Sequence, residues 1–202
     1  METNPITVLF FGVQGSGKGT QAELLIKYLN EHSDRKTLYL ETGELLREFT
    51  KKDGYTNRLV KDIVETGGLL PSFMPVYVIG EAMAERFTGA EHLILDGATR
   101  RENQTRLVDS MFRFYGRTPY HIINIKLSED SAVTRLLGRG RSDDTEEKIR
   151  KRLAWSQEHM DAIMKQFETF ECTIHEIDGE PSVEEIHKEI LSVLGLHHDN
   201  QD

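Results

Sequence analysis

The stretch FFGVQGSGKGTQ, residues 10–21, limits the possible folds of this chain more than any other part of its sequence. It matches the pattern G-x-x-x-x-G-K from Gly12 to Lys18, follows a buried-strand pattern at 6–12 and opens a helical pattern at 18–31. Glycines let several backbone N–H groups converge on one anion, and the lysine and the helix dipole add positive charge. The segment therefore predicts a phosphate-binding loop between a strand and a helix.

The residue that follows the lysine of this loop is Gly19, and the first hydroxyl comes at Thr20. Direct ligation of Mg²⁺ by a residue next to the lysine is therefore excluded. The competing interpretation is a glycine-rich turn without a ligand, which the order of strand, loop, lysine and helix disfavours.

Apolar runs typical of buried strands alternate with helical patterns along the rest of the chain. The strand patterns cover residues 6–12, 36–43, 91–97, 120–128 and 172–179. The helical patterns cover residues 18–31, 43–51, 55–66, 74–87, 101–115, 129–138, 143–169 and 181–194. This alternation predicts an α/β fold, with a parallel sheet between layers of helices, in a single domain over residues 1–202.

The composition narrows the class of partner. A net charge of −9 disfavours a nucleic-acid-binding surface, so the expected ligand is small. The single cysteine, Cys172, excludes an internal disulfide and a cysteine-based zinc cage. No apolar run approaches the roughly 20 residues that span a membrane, and METNPITVLFF lacks the features of a signal peptide. These observations predict a cytoplasmic protein that binds neither nucleic acid nor a membrane.

Two segments interrupt the alternation of strands and helices. About thirty residues with short helical patterns separate the second strand from PSFMPVYVIGEAM, which is more than one crossover helix requires. The short turn GRGRS, residues 138–142, is flanked by charged residues. We interpret both segments as elements over the mouth of the binding site.

Charged residues outside the loop are candidates for the rest of a phosphate site. The third strand ends in Asp96-Gly97, where a carboxylate can orient water around Mg²⁺, although Asp-Gly is also a common turn pair. Guanidinium groups bind phosphate oxygens through two hydrogen bonds, whereas many exposed arginines form ion pairs of little energetic effect. The candidates for phosphate contact are Arg47, Arg100, Arg135, Arg139, Arg141 and Arg152.

Four motifs together resemble the adenylate kinases of the nucleoside monophosphate kinase family, over nearly the whole chain. They are GSGKGTQ at 15–21, TGELLR at 42–47, DGATRRENQ at 96–104 and RLLGRGRSDDTEEKIRKRL at 135–153. The resemblance implies a P-loop NTPase fold whose five parallel strands have the order 2-3-1-4-5. It also implies a monophosphate-binding insertion at about 42–71, a very short lid at about 136–143, and reversible phosphoryl transfer from Mg·ATP to AMP.

The resemblance assigns roles to individual positions. The implied ATP-binding residues are Gly15, Ser16, Gly17, Lys18, Gly19, Thr20, Arg135, Arg139 and Glu180. The implied AMP-binding residues are Thr42, Arg47, Gly68, Leu69, Leu70, Gly97, Arg100, Gln104, Arg141 and Arg152. The implied catalytic residues are Lys18, Arg100, Arg139, Arg141 and Arg152. Asp96 and Glu44 are implied to hold Mg²⁺ through water, no zinc is expected, and the family expectation is a monomer.

The identity of the acceptor depends on two positions. The related uridylate and cytidylate kinases carry Ala where Thr42 stands and Asn where Gln104 stands. A base-specific hydrogen bond left unmade in a closed pocket costs roughly 1 to 3 kcal/mol, so the hydroxyl and the longer amide favour AMP. A kinase of CMP or UMP and a poorly catalytic sensor of ATP and AMP remain alternatives.

The sequence also departs from the family pattern. Gln14 replaces the usual proline of the phosphate loop, and Ala98-Thr99 replaces a Phe-Pro pair whose peptide bond is cis. A cis bond before threonine costs roughly 3 to 4 kcal/mol, against about 0.5 to 1 kcal/mol before proline. We therefore predict a trans bond between Ala98 and Thr99, a changed chain path up to Arg100, and a less tightly enclosed acceptor base.

Overall fold

The computed structural model describes residues 4–65, 68, 70–138 and 145–196. These residues form one parallel five-stranded sheet in the order β2-β3-β1-β4-β5. The strands are β1 Thr7–Gly12, β2 Thr37–Glu41, β3 His92–Asp96, β4 Tyr120–Lys126 and β5 Cys172–Asp178. The helices are α1 Lys18–His32, α2 Thr42–Lys51, α3 Tyr55–Glu65, α4 Phe73–Arg86, α5 Glu102–Phe114, α6 Glu129–Gly138, α7 Glu146–Phe167 and α8 Val183–Val193.

Side chains of the central strands alternate between two apolar cores, because successive residues of a strand point to opposite faces of the sheet. From β1, Val8 and Phe10 pack with residues of α1 and α8. Leu9 and Phe11 pack on the other face with residues of α4, α5 and α7. Helices on both faces therefore bury the sheet and leave the carboxyl ends of its strands as the open edge at which ligands of such folds bind.

The predicted sheet order is confirmed, and the helices and strands lie close to their predicted positions. The prediction that the last strand is buried is wrong: of β5, only Ile177 is fully buried. The reason is position, since β5 is an edge of the sheet and pairs only with β4. Within the described ranges, no helix is both long enough and apolar enough to cross a membrane.

At the amino ends of the strands, a buried histidine connects the residue before β1 to the start of β3. The backbone N–H of Ile6 donates to His92 Nδ1 at 3.1 Å, and His92 Nε2 lies 3.1 Å from Ser33 Oγ. Nδ1 can accept this bond only when it carries no proton, so the geometry requires a neutral imidazole. Burial lowers the pKa of His92, and the nearby Arg35 and Arg117 lower it further.

The single cysteine lies at the start of β5. The Cys172 thiol donates to the Phe167 carbonyl, with Sγ 3.2 Å from the oxygen. Its side chain is half-buried, and burial raises the pKa of Cys172 to about 11.

Candidate active site

The loop between β1 and α1 has the backbone that its glycines predicted. Gly12, Gly15 and Gly17 have φ angles of 138°, 85° and 92°, in the region that favours glycine. Gly12 is also needed for close packing, because a Cβ there would lie 2.5 Å from the Ile125 carbonyl oxygen. The N–H of Ser16 donates to the Val13 carbonyl at 3.2 Å, which closes the turn. The loop is therefore shaped by its own backbone.

Lys18 is folded back onto this loop. Its ammonium group donates to the carbonyls of Gly12 and Val13, with N···O distances of 2.9 and 3.0 Å. Burial lowers the pKa of Lys18; the carboxylate of Asp96 opposes that shift, and the guanidinium of Arg100 adds to it. The lysine of the first motif and the Asp and Arg of the third motif therefore act on one another at one edge of the sheet.

Asp96 ends β3 beside the start of α1. A Cβ at Gly19 would lie 3.9 Å from Asp96 Oδ2, so this carboxylate faces the first turn of that helix. Burial raises the pKa of Asp96, the positive charge of Lys18 opposes the shift, and the carboxylate of Glu41 raises the pKa further. Glu41 is the residue that pairs with Asp96 in the β2–β3 register. Two carboxylates thus stand at adjacent strand ends.

Arg47, a predicted acceptor-site residue, is bonded to Glu41. Arg47 Nη2 donates to Glu41 Oε1 at 3.3 Å, and both side chains remain open to solvent. The pair lies over the backbone of the TGELLR motif, because a Cβ at Gly43 would be 2.9 Å from Glu41 Oε1 and 3.3 Å from Arg47 Nη1. The glycine at this position leaves room for the pair.

Gln104 connects the third motif to the start of α4. Its carboxamide oxygen accepts from the N–H groups of Arg100 and Arg101 at 2.7 and 3.1 Å, and its nitrogen donates to the Ser72 carbonyl at 2.9 Å. The side chain is only 2% exposed. The amide predicted to read a base edge therefore holds the backbone next to Arg100 in this conformation, and its contact with a base stays a prediction.

The segment that departs from the family pattern is buried. The bond between Ala98 and Thr99 is trans, as predicted, since the cis bond found in the described chain is Thr118–Pro119. Ala98 is 1% exposed and belongs to the core on the α4, α5 and α7 face. Gly97, just before it, has a φ of 68° that turns the chain at the end of β3.

Two residues implied to bind ATP, Arg135 and Glu180, connect the region of α6 to the turn after β5. Arg135 Nη2 donates to the Gly179 carbonyl at 2.8 Å. The Glu180 carboxylate accepts from Ser128 N at 3.0 Å and from Ser131 Oγ at 2.7 Å. These hydrogen bonds lower the pKa of Glu180 to about 2. Glu180 therefore fixes the start of α6 through its side chain, and its implied contact with ATP stays a prediction.

The remaining predicted residues lie in different surroundings. Two buried hydroxyls, Ser16 Oγ and Thr42 Oγ1, have no hydrogen-bond partner in the described part of the chain. Arg152 lies on α7 and donates to the Lys148 carbonyl at 3.4 Å, and Glu44 and Gly68 are exposed. Thr20 is exposed, and Leu70 packs against the core. Leu69, Arg139 and Arg141 lie outside the described residues.

The carboxylates at this edge fit a water-mediated magnesium site. Within the described residues, no three His, Cys, Asp or Glu side chains come together to hold a metal ion directly. Asp96 faces the start of α1, and Glu44 lies in the first turn of α2. Carboxylate oxygen is the donor that Mg²⁺ prefers, and Mg²⁺ keeps several of its waters when phosphates supply other ligands.

Sequence reasoning missed two polar residues that the structure places at this edge. One is Glu41, whose signal was the acidic residue directly before Thr42. The other is Asn124, which is 1% exposed and interrupts the apolar strand β4. Neither polar atom of its amide has a hydrogen-bond partner among the described residues. It borders a cavity of about 190 Å³ whose wall includes Gly12 and Val13 of the phosphate loop.

The parallel strands have this order, a glycine loop with a lysine joins β1 to α1, and Asp96 and Arg100 lie at or just after the end of β3. Together these features define the class of P-loop phosphotransferases. Comparison with known proteins narrows the class. The adenylate kinase family model matches residues 10–172. An adenylate kinase of Corynebacterium glutamicum is 31% identical over 188 residues, which are 93% of this chain and 98% of that relative.

Two further relatives agree with this match. An adenylate kinase of Thermus thermophilus is 30% identical over 94% of this chain and 97% of its own length. The protein named adenylate kinase 1 of a Nostoc species is 29% identical over 93% of this chain and 98% of its own length. This chain belongs to the adenylate kinase family.

Proposed function

We propose that this chain transfers the terminal phosphoryl group of ATP to AMP, reversibly, to give two ADP. The observation that carries the proposal is that the loop with Lys18 and the motif with Asp96 and Arg100 follow the neighbouring parallel strands β1 and β3, and that Asp96 Oδ2 would lie 3.9 Å from a Cβ at Gly19. Positive groups from two separate motifs therefore converge where two phosphate chains would meet. Family membership and the names of the relatives support the same reaction.

On the donor side, the chain supplies backbone N–H groups and one mobile ammonium group. The N–H groups of residues 15–20 would bind the β-phosphate, because they lie at the positive end of α1. Lys18 would leave the carbonyls of Gly12 and Val13 and follow the transferring group. Since the transition state spreads charge over the equatorial oxygens, a cation that moves with them stabilises it more than the ground state.

On the acceptor side, arginines would hold the monophosphate in line with the donor. Arg100 lies close to Asp96 along the chain, so its guanidinium would reach the phosphates beside that carboxylate. Gln104 accepts a hydrogen bond from the backbone N–H of Arg100 and so fixes its position. Arg47 would bind the acceptor phosphate from α2, and Thr42 would offer its buried hydroxyl. Positioning of this kind accounts for much of the rate enhancement in phosphoryl transfer.

Members of the family generally use Mg²⁺ with ATP. In this chain Asp96 and Glu44 would hold the ion through water. The bound ion would neutralise charge on the donor phosphates, and the two carboxylates would accept hydrogen bonds from its waters.

We also infer how the chain is organised and where it acts. Residues 42–71 would form a monophosphate-binding insertion, and residues 136–143, with Arg139 and Arg141, a very short lid that supplies positive charge to the phosphates. The acidic net charge of −9 and the single cysteine agree with a monomer of the cytoplasm that binds nucleotides. Light scattering after size-exclusion chromatography checks the oligomeric state.

The test is a comparison of acceptors at saturating Mg·ATP. Formation of ADP is followed with AMP, CMP and UMP, and without acceptor. The proposal expects a kcat/KM for AMP at least about tenfold above that for either pyrimidine, the size of one base-specific hydrogen bond. Preferred phosphorylation of CMP or UMP would show the related kinase activity instead. Binding of ATP and AMP without turnover would show a sensor.

A further inference from the structure

The carboxylate of Glu41 is paired with the guanidinium of Arg47, which is the group proposed to bind the acceptor phosphate. Arg47 Nη2 is 3.3 Å from Glu41 Oε1; Glu41 is the N-cap of α2, and Arg47 lies in the second turn of that helix, at the end of the motif predicted to bind the acceptor. A phosphate that binds Arg47 through two hydrogen bonds must displace the carboxylate, because the planar guanidinium offers a limited set of directions.

The position of Glu41 increases the cost of that exchange. Glu41 pairs with Asp96 in the sheet register, so its carboxylate stands beside the point where the acceptor chain meets the donor. A displaced Glu41 therefore stays close enough to repel an incoming phosphate dianion, which is a like charge.

We propose that Glu41 is a specificity-determining residue of the acceptor site, which competes with the acceptor phosphate for the guanidinium of Arg47. The inference rests on the proposed function for the identity of the acceptor, and on the ion pair for its mechanism. Glu41 lowers the affinity for every acceptor that binds Arg47 through an anionic group, because that group must first displace the carboxylate. An acceptor with a full phosphate dianion displaces it, whereas an uncharged nucleoside gains nothing at Arg47.

The first experiment removes the charge of Glu41 and keeps its shape. Glu41→Gln should lower the Kd and the KM for AMP about two- to fivefold, the range expected when an exposed ion pair no longer has to be broken. The KM for ATP and kcat should stay within twofold of the parent, because the donor loop is untouched. Glu41→Ala is the second variant, because its methyl group cannot accept a hydrogen bond from Arg47.

A matched control lies on the same helix. Glu48 of α2 pairs with Arg86 at 3.0 Å, outside the acceptor motif, and is similarly open to solvent. Glu48→Gln changes the net charge by the same amount and should leave the AMP Kd unchanged. An equal fall in both variants would mean that only the overall charge matters, and would overturn the competition.

A double-mutant cycle isolates the pair. In an Arg47→Met background, Glu41→Gln should change the AMP Kd by less than half of its effect in the parent, because the contested cation is gone. An undiminished effect in that background would overturn the role of Arg47 in the proposal.

Binding and turnover are measured separately, so that the two hypotheses can fail independently. Calorimetry gives the AMP Kd, and the coupled assay gives turnover. If the parent phosphorylates AMP and Glu41→Gln leaves the Kd unchanged or raises it, the competition is refuted and the proposed function stands. If the parent binds AMP without phosphorylating it and Glu41→Gln tightens binding, the proposed function fails and the competition stands. A parent that does not bind AMP overturns both.

Discussion

The donor loop and the acceptor site satisfy their polar groups in different ways before a nucleotide is present. In the donor loop, main-chain atoms do most of this: Ser16 N bonds Val13 O, and Lys18 bonds two main-chain carbonyls. On the acceptor side, side chains bond to other groups of the protein: Arg47 to Glu41, and Gln104 to the backbone on two segments. One site is formed by the backbone, and the other is held by side-chain contacts.

This difference predicts different consequences of nucleotide binding. Under the proposed function, Lys18 is the one group of the loop that must move for the donor phosphates, so the loop would lose little entropy on binding. Under the same proposal, the acceptor must break the ion pair between Arg47 and Glu41, and it binds next to the segment that Gln104 holds. Substitutions among the side chains on the acceptor side should therefore change the affinity for AMP and leave the affinity for ATP unchanged.

The largest effect is expected at Lys18. Lys18→Met should lower kcat by about 10³-fold or more, because it removes the positive charge at the transferring phosphoryl group. Lys27→Met, on the exposed face of α1, is the matched control and should keep kcat within twofold of the parent. A kcat of Lys18→Met within tenfold of the parent in steady-state assays would contradict the assigned role.

A smaller and one-sided effect is expected at Gln104. Gln104→Ala leaves the N–H groups of Arg100 and Arg101 without their buried acceptor, and should lower kcat/KM for AMP about 10- to 100-fold. The KM for ATP should stay within twofold. Gln166→Ala on α7 serves as a control, because Gln166 is only partly buried and its side-chain hydrogen bonds lie at the surface. Equal losses for both nucleotides would break the contrast between the two sites.

The buried amide behind the donor loop should be dispensable. Asn124→Leu removes a polar group with no partner among the described residues, and should raise the free energy of unfolding by about 1 kcal/mol. The KM for ATP should not change, since the loop backbone forms the donor site. Urea denaturation measures the stability, with Asn30→Leu as the surface control. A loss of stability would show that water in the adjoining cavity satisfies the amide.

The smallest effect is expected in the pH dependence of stability. The pKa of His92 is lowered in the folded protein. As pH falls below the ordinary histidine pKa of about 6.5, the unfolded chain therefore binds more protons at this residue than the folded chain does. Stability is therefore full above that pH and falls as pH decreases toward the folded pKa. His121 and His175, whose ring nitrogens lie 3.1 Å apart, also have lowered pKa values and act in the same direction.

His92→Asn tests this origin, because the Asn oxygen can still accept from Ile6 N–H but does not titrate. The difference in stability between pH 7 and pH 5.5 should shrink in this variant, and His32→Gln on the surface should leave it unchanged. Both nucleotide sites should lose activity in parallel as pH falls, since His92 supports the sheet rather than either site. An unchanged difference in His92→Asn would refute the role of this residue.

The sequence predicted the backbone of the glycine loop, whereas the side-chain contacts around Arg47 and Gln104 emerged only from the structure. A glycine pattern dictates a backbone shape, and the alternation of elements dictates a parallel sheet, because both depend on neighbours along the chain. The bond between Arg47 and Glu41 depends on how a strand passes into a helix, and the contacts of Gln104 depend on a segment thirty-two residues away. The exposure of β5 likewise depends on its edge position, which no local pattern reveals.

The thiol of Cys172 offers a practical consequence for following motion in this molecule. With a pKa of about 11, only about one in ten thousand of these thiols is ionised at pH 7, so it reacts slowly with alkylating dyes. Because it is the single cysteine of the chain, a new cysteine placed on an exposed helix would be labelled selectively. The native chain is thus close to a cysteine-free background for fluorescence measurements, and the native residue can stay in place.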